Sequence, residues 1–298
     1  MSTPDLLVTG AGGKLGQRVL HHLLDTLAVP ATRVVAATRN PDALAEWARR
    51  GVAVRAADFD HSASLDAAFA GVERLLLIST DALGTPGQRL AQHEAAIRAA
   101  EKAGVTHVVY TSLPKAESSA VLFAPDHAGT EAALAASALP AWTVLRNNWY
   151  FENLFMSLPA ALASGTWHSA AGEGRIAHVA RDDLARAAAA ALRDIVFGKT
   201  VRTLSGAKSY STAEIAALVS KVVGKPLTVV PVPAEGLVQG MVAHGLPEPL
   251  ARVFASFDVN IAQGGLADVT GEVKALTGAE PKSFEDWLVE NKEALAAL

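Results

Sequence analysis

Residues 6–16 read Leu6-Leu7-Val8-Thr9-Gly10-Ala11-Gly12-Gly13-Lys14-Leu15-Gly16, and this stretch decides the fold. The apolar run at 6–9 predicts a buried strand, and the amphipathic stretch at 15–27 predicts a helix. Glycines at 10, 13 and 16 allow a tight turn, close backbone approach to a pyrophosphate and close packing of helix on strand. The first helical turn would offer amide donors and partial positive charge to that anion. A strand, a glycine loop and a helix in this order predict a dinucleotide-binding unit.

The same alternation of strands and helices continues along the first half of the chain. Strands that are apolar without alternation are covered on both faces, as in parallel sheets with helices on either side. The sequence therefore predicts an α/β fold with a doubly wound, Rossmann-like parallel sheet. The predicted strands are 6–9, 33–38, 52–56, 75–78, 107–110 and 142–145, and the predicted helices are 15–27, one opened by Pro41, 64–69, 89–102 and 127–137.

The regularity weakens after residue 150. An Ala-rich helix at 184–192 and a strand at 200–204 predict that residues 179–205 return to the sheet. A Ser/Thr-x-x-Glu start at Ser211 predicts a helix that reaches Val223. Short helices separated by Gly and Pro are expected at 231–261 and 270–296. We therefore predict a dinucleotide-binding domain over 1–150 and a smaller, mainly helical substrate or lid domain over 151–178 and 206–298.

Composition excludes several classes of protein. The 298 residues are 50% hydrophobic and 19% charged, which excludes a disordered or low-complexity chain and gives a prior of about two domains. A net charge of −4 gives no reason to expect nucleic-acid or anionic-membrane binding. The chain has no Cys, and its His residues are scattered without a His-Glu-x-x-His motif, so we expect no metal site. We expect a cytoplasmic protein without a secretory signal or membrane insertion, because the start has no basic, apolar leader and the longest uncharged span, 153–172, contains Pro159 and Gly165.

The end of the second predicted strand indicates which dinucleotide binds. NAD sites usually place an acid there for the ribose 2′-hydroxyl, whereas an Arg accommodates a 2′-phosphate. The chain reads Thr38-Arg39-Asn40 without an acid, and Lys14 in the glycine loop would add a second cation. The alternative interpretation of Arg39 is a solvated charge at a strand end. We predict NADP(H).

Polar residues also follow the other predicted strands. Asp58 would accept a hydrogen bond from the adenine amino group and Phe59 would pack on the ring, although an Asp at a strand end is often only a turn residue. Ser79-Thr80 and Thr111-Ser112 end two further strands beside the expected topological switch point, where such sheets bind ligands. Both pairs could equally be ordinary loop hydroxyls.

Several stretches resemble the NmrA-like, atypical branch of the short-chain dehydrogenase/reductases. Within it the chain looks most like the NAD(P)H:quinone oxidoreductase type 2 enzymes, with the triphenylmethane reductases nearby. The glycine loop, Thr38–Pro41 and the run Leu145-Arg146-Asn147-Asn148-Trp149-Tyr150-Phe151-Glu152-Asn153 carry the resemblance. It implies a nicotinamide and quinone pocket near Asn147–Tyr150. The implied NADP(H)-binding residues are Gly10, Ala11, Gly12, Gly13, Lys14, Leu15, Gly16, Arg39, Asp58, Phe59, Ser79, Thr80, Thr111 and Asn147, and the implied substrate-binding residues are Asn148, Trp149 and Tyr150.

The chain differs from ordinary short-chain dehydrogenases in the residues that would donate a proton to the substrate. Those enzymes use a Tyr with a Lys four residues later, which lowers the pKa of the Tyr. No Tyr of this chain has that partner, and the corresponding helix reads His127-Ala128-Gly129-Thr130-Glu131. A secondary alcohol dehydrogenase is therefore not expected. His127 is a weak candidate for a proton donor, and a surface His is an equally good interpretation.

Three functions stay open. The first is NADPH-dependent quinone reduction by direct hydride transfer without flavin, because hydride addition to a quinone leaves a weakly basic oxyanion that solvent can protonate. The second changes the acceptor to a dye or another conjugated electrophile. The third is a non-catalytic NADP(H) sensor of the NmrA type that regulates a partner. The sequence also leaves open whether Trp149 and Tyr150 are core aromatics and whether the chain forms a homodimer.

Overall fold

The computed structural model describes residues 4–194 and 197–297. Its strands are β1 (Leu6–Val8), β2 (Val34–Thr38), β3 (Ala53–Ala56), β4 (Arg74–Leu77), β5 (His107–Ser112), β6 (Ala141–Asn147), β7 (Thr166–Ser169), β8 (Arg175–Ile176), β9 (Lys199–Leu204), β10 (Tyr210–Ser211) and β11 (Thr228–Pro231). Its α-helices are α1 (Lys14–His21), α2 (Ala45–Arg49), α3 (Ser62–Phe69), α4 (Gln88–Ala103), α5 (Ala124–Ala136), α6 (Leu158–Ser164), α7 (Arg181–Arg193), α8 (Thr212–Val223), α9 (Ala234–Ala243), α10 (Glu248–Ala262), α11 (Glu272–Thr277), α12 (Phe284–Glu290) and α13 (Lys292–Ala296). Shorter 3₁₀ turns cover Ala31–Arg33, Pro41–Leu44 and Phe151–Met156.

A seven-stranded sheet in the order β3-β2-β1-β4-β5-β6-β9 confirms the predicted doubly wound fold. The pairings β1–β2, β1–β4, β2–β3, β4–β5 and β5–β6 are all parallel. The chain runs outward from β1 to β3 and then returns to the other side of β1 as β4. The strand order thus reverses between β1 and β4, which is where sheets of this kind form a ligand crevice at the carboxyl ends of their strands.

Apolar packing on both faces holds this sheet together. Every residue of β1 and β4 is buried, and Leu7, Leu75 and Val108 form one apolar cluster with α3 and α4 through Phe69 and Ile97. Complete burial explains why these strands show no alternation in the sequence. The first helix is shorter than predicted, because the stretch His22–Thr26 winds as a π-helical turn and Leu27 donates its amide to the His22 carbonyl.

The described residues divide into two compact units. The first unit takes its residues from Met1–Leu113, Asp126–Arg146 and Asp182–Arg202, and the second from Pro114–Pro125, Asn147–Arg181 and Thr203–Leu298. This division differs from the sequence boundary at residue 150. Within the second unit, the Ala120 amide donates to Asn260 Oδ1 (3.1 Å) and the Asn148 amide donates to the Leu204 carbonyl (2.9 Å), which ties 114–125 and the start of 147–181 to later residues.

The second unit contains short strands that the sequence analysis did not predict. β7 pairs in parallel with β11, and β8 pairs antiparallel with β10, so this unit is less uniformly helical than expected. The predicted start of α8 is confirmed, since Ser211 and Glu214 form a reciprocal capping box. Among the helices that the structure describes, none is long and apolar enough to span a membrane.

Candidate cofactor and substrate site

The glycine loop joins β1 to α1 by a turn that depends on glycine at two positions. Gly10 has φ +58°, a left-handed conformation that side chains disfavour. Gly13 donates its amide to the Gly10 carbonyl at 2.9 Å, which closes the turn. A Cβ placed on Gly16 would lie 2.4 Å from the Gly10 oxygen and 2.7 Å from Ala11 Cα. The first turn of α1 therefore packs against the loop backbone at a distance that only glycine allows.

The loop presents backbone donors at the N-terminus of α1. Within the described chain, the amides of Gly12, Lys14 and Leu15 have no hydrogen-bond acceptor. Unpaired amides at a helix start bind anions, because their dipoles and the helix dipole direct positive charge at the same place. Lys14 is exposed and adds a formal positive charge to the same turn. These groups fit the pyrophosphate of a dinucleotide.

The end of β2 lies against this loop. A Cβ on Gly12 would lie 3.1 Å from Oγ1 of Thr38, the last residue of β2. Arg39 follows Thr38 and therefore lies close to the glycine loop. Its side chain is 71% exposed, and its guanidinium lies 3.9 Å from the carboxylate of the still more exposed Asp81. Exposed pairs of this kind contribute little free energy, so Arg39 can bind another anion at small cost. A 2′-phosphate is such an anion.

Asp58 and Phe59 follow β3, beside the end of β2, because the Ala57 amide donates to the Thr38 carbonyl. The Asp58 carboxylate accepts from the Asp60 amide at 3.1 Å and contacts His61 Nδ1 at 3.1 Å. Phe59 is only partly buried and packs on the core of the first unit. These contacts are those of a turn residue, so the role of Asp58 in adenine binding stays a prediction.

The chain after β4 is held by an arrangement that we call the amide clamp. Three successive amides leave the sheet ladder here, and each donates to a side chain from a different element. The bonds run from Ile78 to Thr9 Oγ1 (2.9 Å), from Ser79 to Thr111 Oγ1 (2.9 Å) and from Thr80 to His93 Nε2 (3.0 Å). A Cβ on Gly10 would lie 3.6 Å from Ile78, so the clamped segment adjoins the glycine loop. The Thr80 hydroxyl is buried and has no partner among the residues that the structure describes.

The structure thus brings together the glycine loop, Arg39, Ser79, Thr80 and Thr111 within the first unit. Sequence reasoning did not identify two members of the amide clamp, Thr9 and His93. Thr9 directly follows β1, where a polar residue after an apolar run was a usable signal. His93 carried no local signal, because it lies inside a helix pattern 13 residues from the amide that it binds.

His127, the weak catalytic candidate, is buried on α5 at 3% exposure. Its Nε2 lies 3.0 Å from Arg89 Nη2 and its Nδ1 lies 2.7 Å from the Tyr110 hydroxyl. Since a guanidinium only donates, the neutral ring carries its proton on Nδ1 and donates it to Tyr110. Burial, reinforced by the charge of Arg89, holds the pKa of His127 well below its usual value. Both ring nitrogens are therefore engaged inside the first unit, an arrangement that favours a structural role.

Glu131 lies four residues after His127, where ordinary dehydrogenases carry Lys, and it is also engaged. Its carboxylate accepts from Ser112 Oγ at 2.6 Å and from Arg146 Nε at 3.0 Å. Ser112 and Arg146 are register partners on β5 and β6, so Glu131 joins the carboxyl ends of two neighbouring strands. The contacts of His127 and Glu131 favour structural roles for both side chains, and the catalytic role of His127 stays a prediction.

The predicted pocket residues Asn147–Tyr150 begin the 147–181 segment of the second unit. The Asn147 Oδ1 atom is buried and, among the described residues, lacks a donor. Asn148 is fully engaged instead: its Nδ2 donates to the Leu266 carbonyl at 3.0 Å and its Oδ1 accepts from the Trp149 amide at 2.7 Å. Among the described residues the Asn147 side-chain oxygen is thus an unpaired acceptor, whereas both ends of the Asn148 amide are bonded, and the roles of the two residues in binding stay predictions.

The two aromatic residues of this segment pack differently. The Trp149 ring lies against Phe257 with 3.8 Å between ring centroids. The guanidinium of Arg181 lies over the Tyr150 ring, 5.3 Å from its centroid. Both side chains are partly exposed, so each has a surface left for a planar ligand. Their role in substrate binding stays a prediction.

Comparison with known proteins gives consistent results. The model of the NmrA-like family matches residues 2–288. The chain is 39% identical to Quinone oxidoreductase 2 of Escherichia coli (strain K12) over 273 residues, which are 92% of this chain and 93% of that protein. The crystal structure of the E. coli NADPH-dependent quinone oxidoreductase complexed with NADPH superposes with a TM-score of 0.89 at 38% identity, over 97% of this chain and 99% of that one. The triphenylmethane reductase of Citrobacter sp. complexed with NADP(H) gives a TM-score of 0.88 at 33% identity, over 97% of this chain and 100% of that one.

Proposed function

The chain belongs to the NmrA-like family, as its motifs predicted, and from this premise we propose that it is an NADP(H)-dependent oxidoreductase that reduces quinones without flavin. The cofactor assignment rests on one combination: the glycine loop has amides without an acceptor, and the neighbouring end of β2 carries Arg39 and no acidic residue. Relatives described with NADPH or NADP(H) support it. The acceptor is inferred from the likeness to a quinone oxidoreductase over nearly the whole chain.

In this reaction the residues of the chain have to bind and position the cofactor, and no side chain has to act as an acid. The loop amides hold the pyrophosphate, Arg39 with Lys14 holds the 2′-phosphate, and the amide clamp fixes the strand end beside them. NADPH, when bound, supplies the hydride to the acceptor. A quinone accepts it without a side-chain acid, because the oxyanion that forms is weakly basic and water protonates it. The engagement of His127 and Glu131 in buried hydrogen bonds is compatible with that chemistry.

A second acceptor class is a conjugated dye. The 33% identity to a triphenylmethane reductase favours it, and a cationic dye also accepts hydride without a proton donor. The two acceptors differ in shape and charge, so a direct assay separates them. The third hypothesis, a non-catalytic NADP(H) sensor, requires binding without turnover.

The test is the oxidation of NADPH, followed at about 340 nm, with a panel of benzoquinones, naphthoquinones, triphenylmethane dyes and aldehydes. We expect turnover with quinones and none with simple aldehydes. Faster turnover with dyes than with any quinone would favour the second acceptor class. Equal affinity for NADP⁺ and NADPH with no oxidation by any acceptor would contradict the enzyme and favour the sensor.

We expect the purified protein to be colourless and to contain no flavin. Its only nucleotide signature is one glycine loop with one strand-end Arg, which serves a single dinucleotide. Absorption near 450 nm, checked after denaturation, measures bound flavin directly. A yellow preparation with one flavin per chain would contradict hydride transfer straight from NADPH to the acceptor.

We expect His127→Ala to lower kcat for quinones less than tenfold, under about 1.4 kcal/mol of barrier. A general acid normally contributes about 10²- to 10⁴-fold, and this reaction does not need one. The same variant should lose thermal stability, because it leaves a cavity and removes the partner of Arg89 and Tyr110. Steady-state kinetics and a thermal melt measure the two effects. A thousandfold loss of kcat with intact NADPH binding would identify His127 as a proton donor.

A further inference from the structure

The third bond of the amide clamp comes from a buried histidine. His93 lies on α4 with 0% exposure, so it cannot contact a ligand itself. It accepts the Thr80 amide on Nε2, and its Nδ1 lies 2.8 Å from Thr130 Oγ1. Its action on any bound nucleotide has to pass through Thr80.

The hydrogen bonds fix the protonation of this ring. A backbone amide only donates, so Nε2 of His93 is an acceptor and the proton of the neutral ring is on Nδ1. That proton is donated to Thr130 Oγ1, and the Thr130 hydroxyl in turn donates to the Asp126 carbonyl at 2.7 Å. Burial, with Arg89 nearby, lowers the pKa of His93 to about 3, so the ring stays neutral at any ordinary working pH.

The segment that His93 holds is placed where the fold binds ligands. Residues 78–80 follow β4 directly beside the strand-order reversal, and they adjoin the glycine loop at Gly10. The buried Thr80 hydroxyl has no partner in the part of the chain that the structure describes, although buried hydroxyls are normally bonded. A segment beside this crevice that is already ordered binds a ligand more tightly than one that must first be ordered.

We propose that His93 is a positioning residue for NADPH binding, because it holds the Thr80 amide and so fixes the strand end that borders the nucleotide crevice. The inference rests on the proposed function, since it concerns the same cofactor. It assigns to α4 a role in NADPH affinity that acts through the Thr80 amide at the end of β4.

Two polar substitutions separate the two bonds of the ring. In His93→Gln the side-chain oxygen reaches about as far as Nε2 and can accept the Thr80 amide, whereas in His93→Asn the shorter amide reaches only about as far as Nδ1 and Thr130. The matched control is His107→Asn. His107 is also buried, bonds a threonine hydroxyl (Thr143 Oγ1, 3.0 Å) through Nε2, and begins β5 at the opposite end of the sheet.

The experiment is a fluorescence titration of NADPH into the wild-type protein and these three variants, with thermal melts in parallel. We expect His93→Asn to raise the Kd for NADPH about tenfold, and His93→Gln and His107→Asn to raise it less than about threefold. The KM for the quinone should not change. All three variants should lose thermal stability, which a merely structural role would also produce.

The outcomes distinguish this inference from the function on which it rests. Wild-type protein that binds no NADPH overturns both. Wild-type affinity in folded His93→Asn, or an equal loss in His107→Asn, overturns the role of His93 alone. Should His93→Asn fail to fold, slow hydrogen exchange of the Thr80 amide in the wild-type protein, retained in His93→Gln together with its NADPH affinity, supports the bond, and rapid exchange of that amide in the wild-type protein contradicts it.

Discussion

Replacing Gly16 with alanine should raise the Kd for NADPH about 100-fold or more and lower the melting temperature by several degrees. The added Cβ would lie 2.4 Å from the Gly10 oxygen and 2.7 Å from Ala11 Cα, both backbone atoms that cannot turn aside. Overpacking of this kind costs about 1–3 kcal/mol in stability. The loop has to move away from α1, and its unpaired amides move with it, so the anion site loses its geometry.

The control for this change is Gly240→Ala in α9. A Cβ there meets no atom within 4 Å, so alanine should stabilise the protein by about 0.5–1 kcal/mol through the lower entropy of its unfolded chain, without any effect on NADPH. Fluorescence titration and thermal melts on both variants measure the difference. Wild-type affinity in Gly16→Ala would mean that the contact between loop and helix is not needed for binding.

The sequence was sufficient for the parts of the fold that local patterns control. β1 and residues 75–77 of β4 appear as unbroken apolar runs, because both faces of these buried strands are covered. A helix start with a defined chemistry was also predicted, since Ser211 begins α8 in a capping box. Strands and helix starts of this kind depend only on residues that are close together in the sequence.

The second unit was harder to predict because its pairings are distant and partly exposed. β7 pairs with β11 from Thr166↔Thr228 to Ser169↔Pro231, and neither strand shows alternating polarity. β8 and β10 contain only two residues each, too few for any pattern. Strand pairing of this kind is decided by tertiary packing more than by propensity.

The same distinction applies to the site. The glycine loop and Arg39 could be chosen as candidates from the sequence, because the signal for each is its spacing from a strand. The role of His93 depends on how α4 packs against β4, which no local pattern encodes. His127 shows the converse: its position in the sequence pointed to the place of a catalytic acid, and only the fold shows that Tyr110 and Arg89 engage both nitrogens of its ring.

Replacing Arg39 with alanine should lower NADPH affinity about 10- to 100-fold and NADH affinity less than about threefold. The 2′-phosphate is dianionic and would lose its charge-assisted donors, each worth about 1.5–3 kcal/mol, whereas NADH has no phosphate there. The 3.9 Å pair with exposed Asp81 offers little competition, so Asp81→Asn should change NADPH affinity only slightly and upward. Titration of both cofactors into each variant measures this selectivity.

Two further variants establish whether the effect belongs to the phosphate contact. Arg49→Ala removes the same charge from an exposed position at the end of α2 and should leave both affinities unchanged. Lys14→Ala combined with Arg39→Ala should lose more NADPH affinity than either alone, because both cations face the phosphates. The selective loss should shrink as salt rises, since a solvent-facing ion pair is already screened at high ionic strength. An equal loss for NADPH and NADH would mean that Arg39 stabilises the end of β2 and does not bind the phosphate, and the assignment of NADPH would then rest on the likeness to relatives with that cofactor.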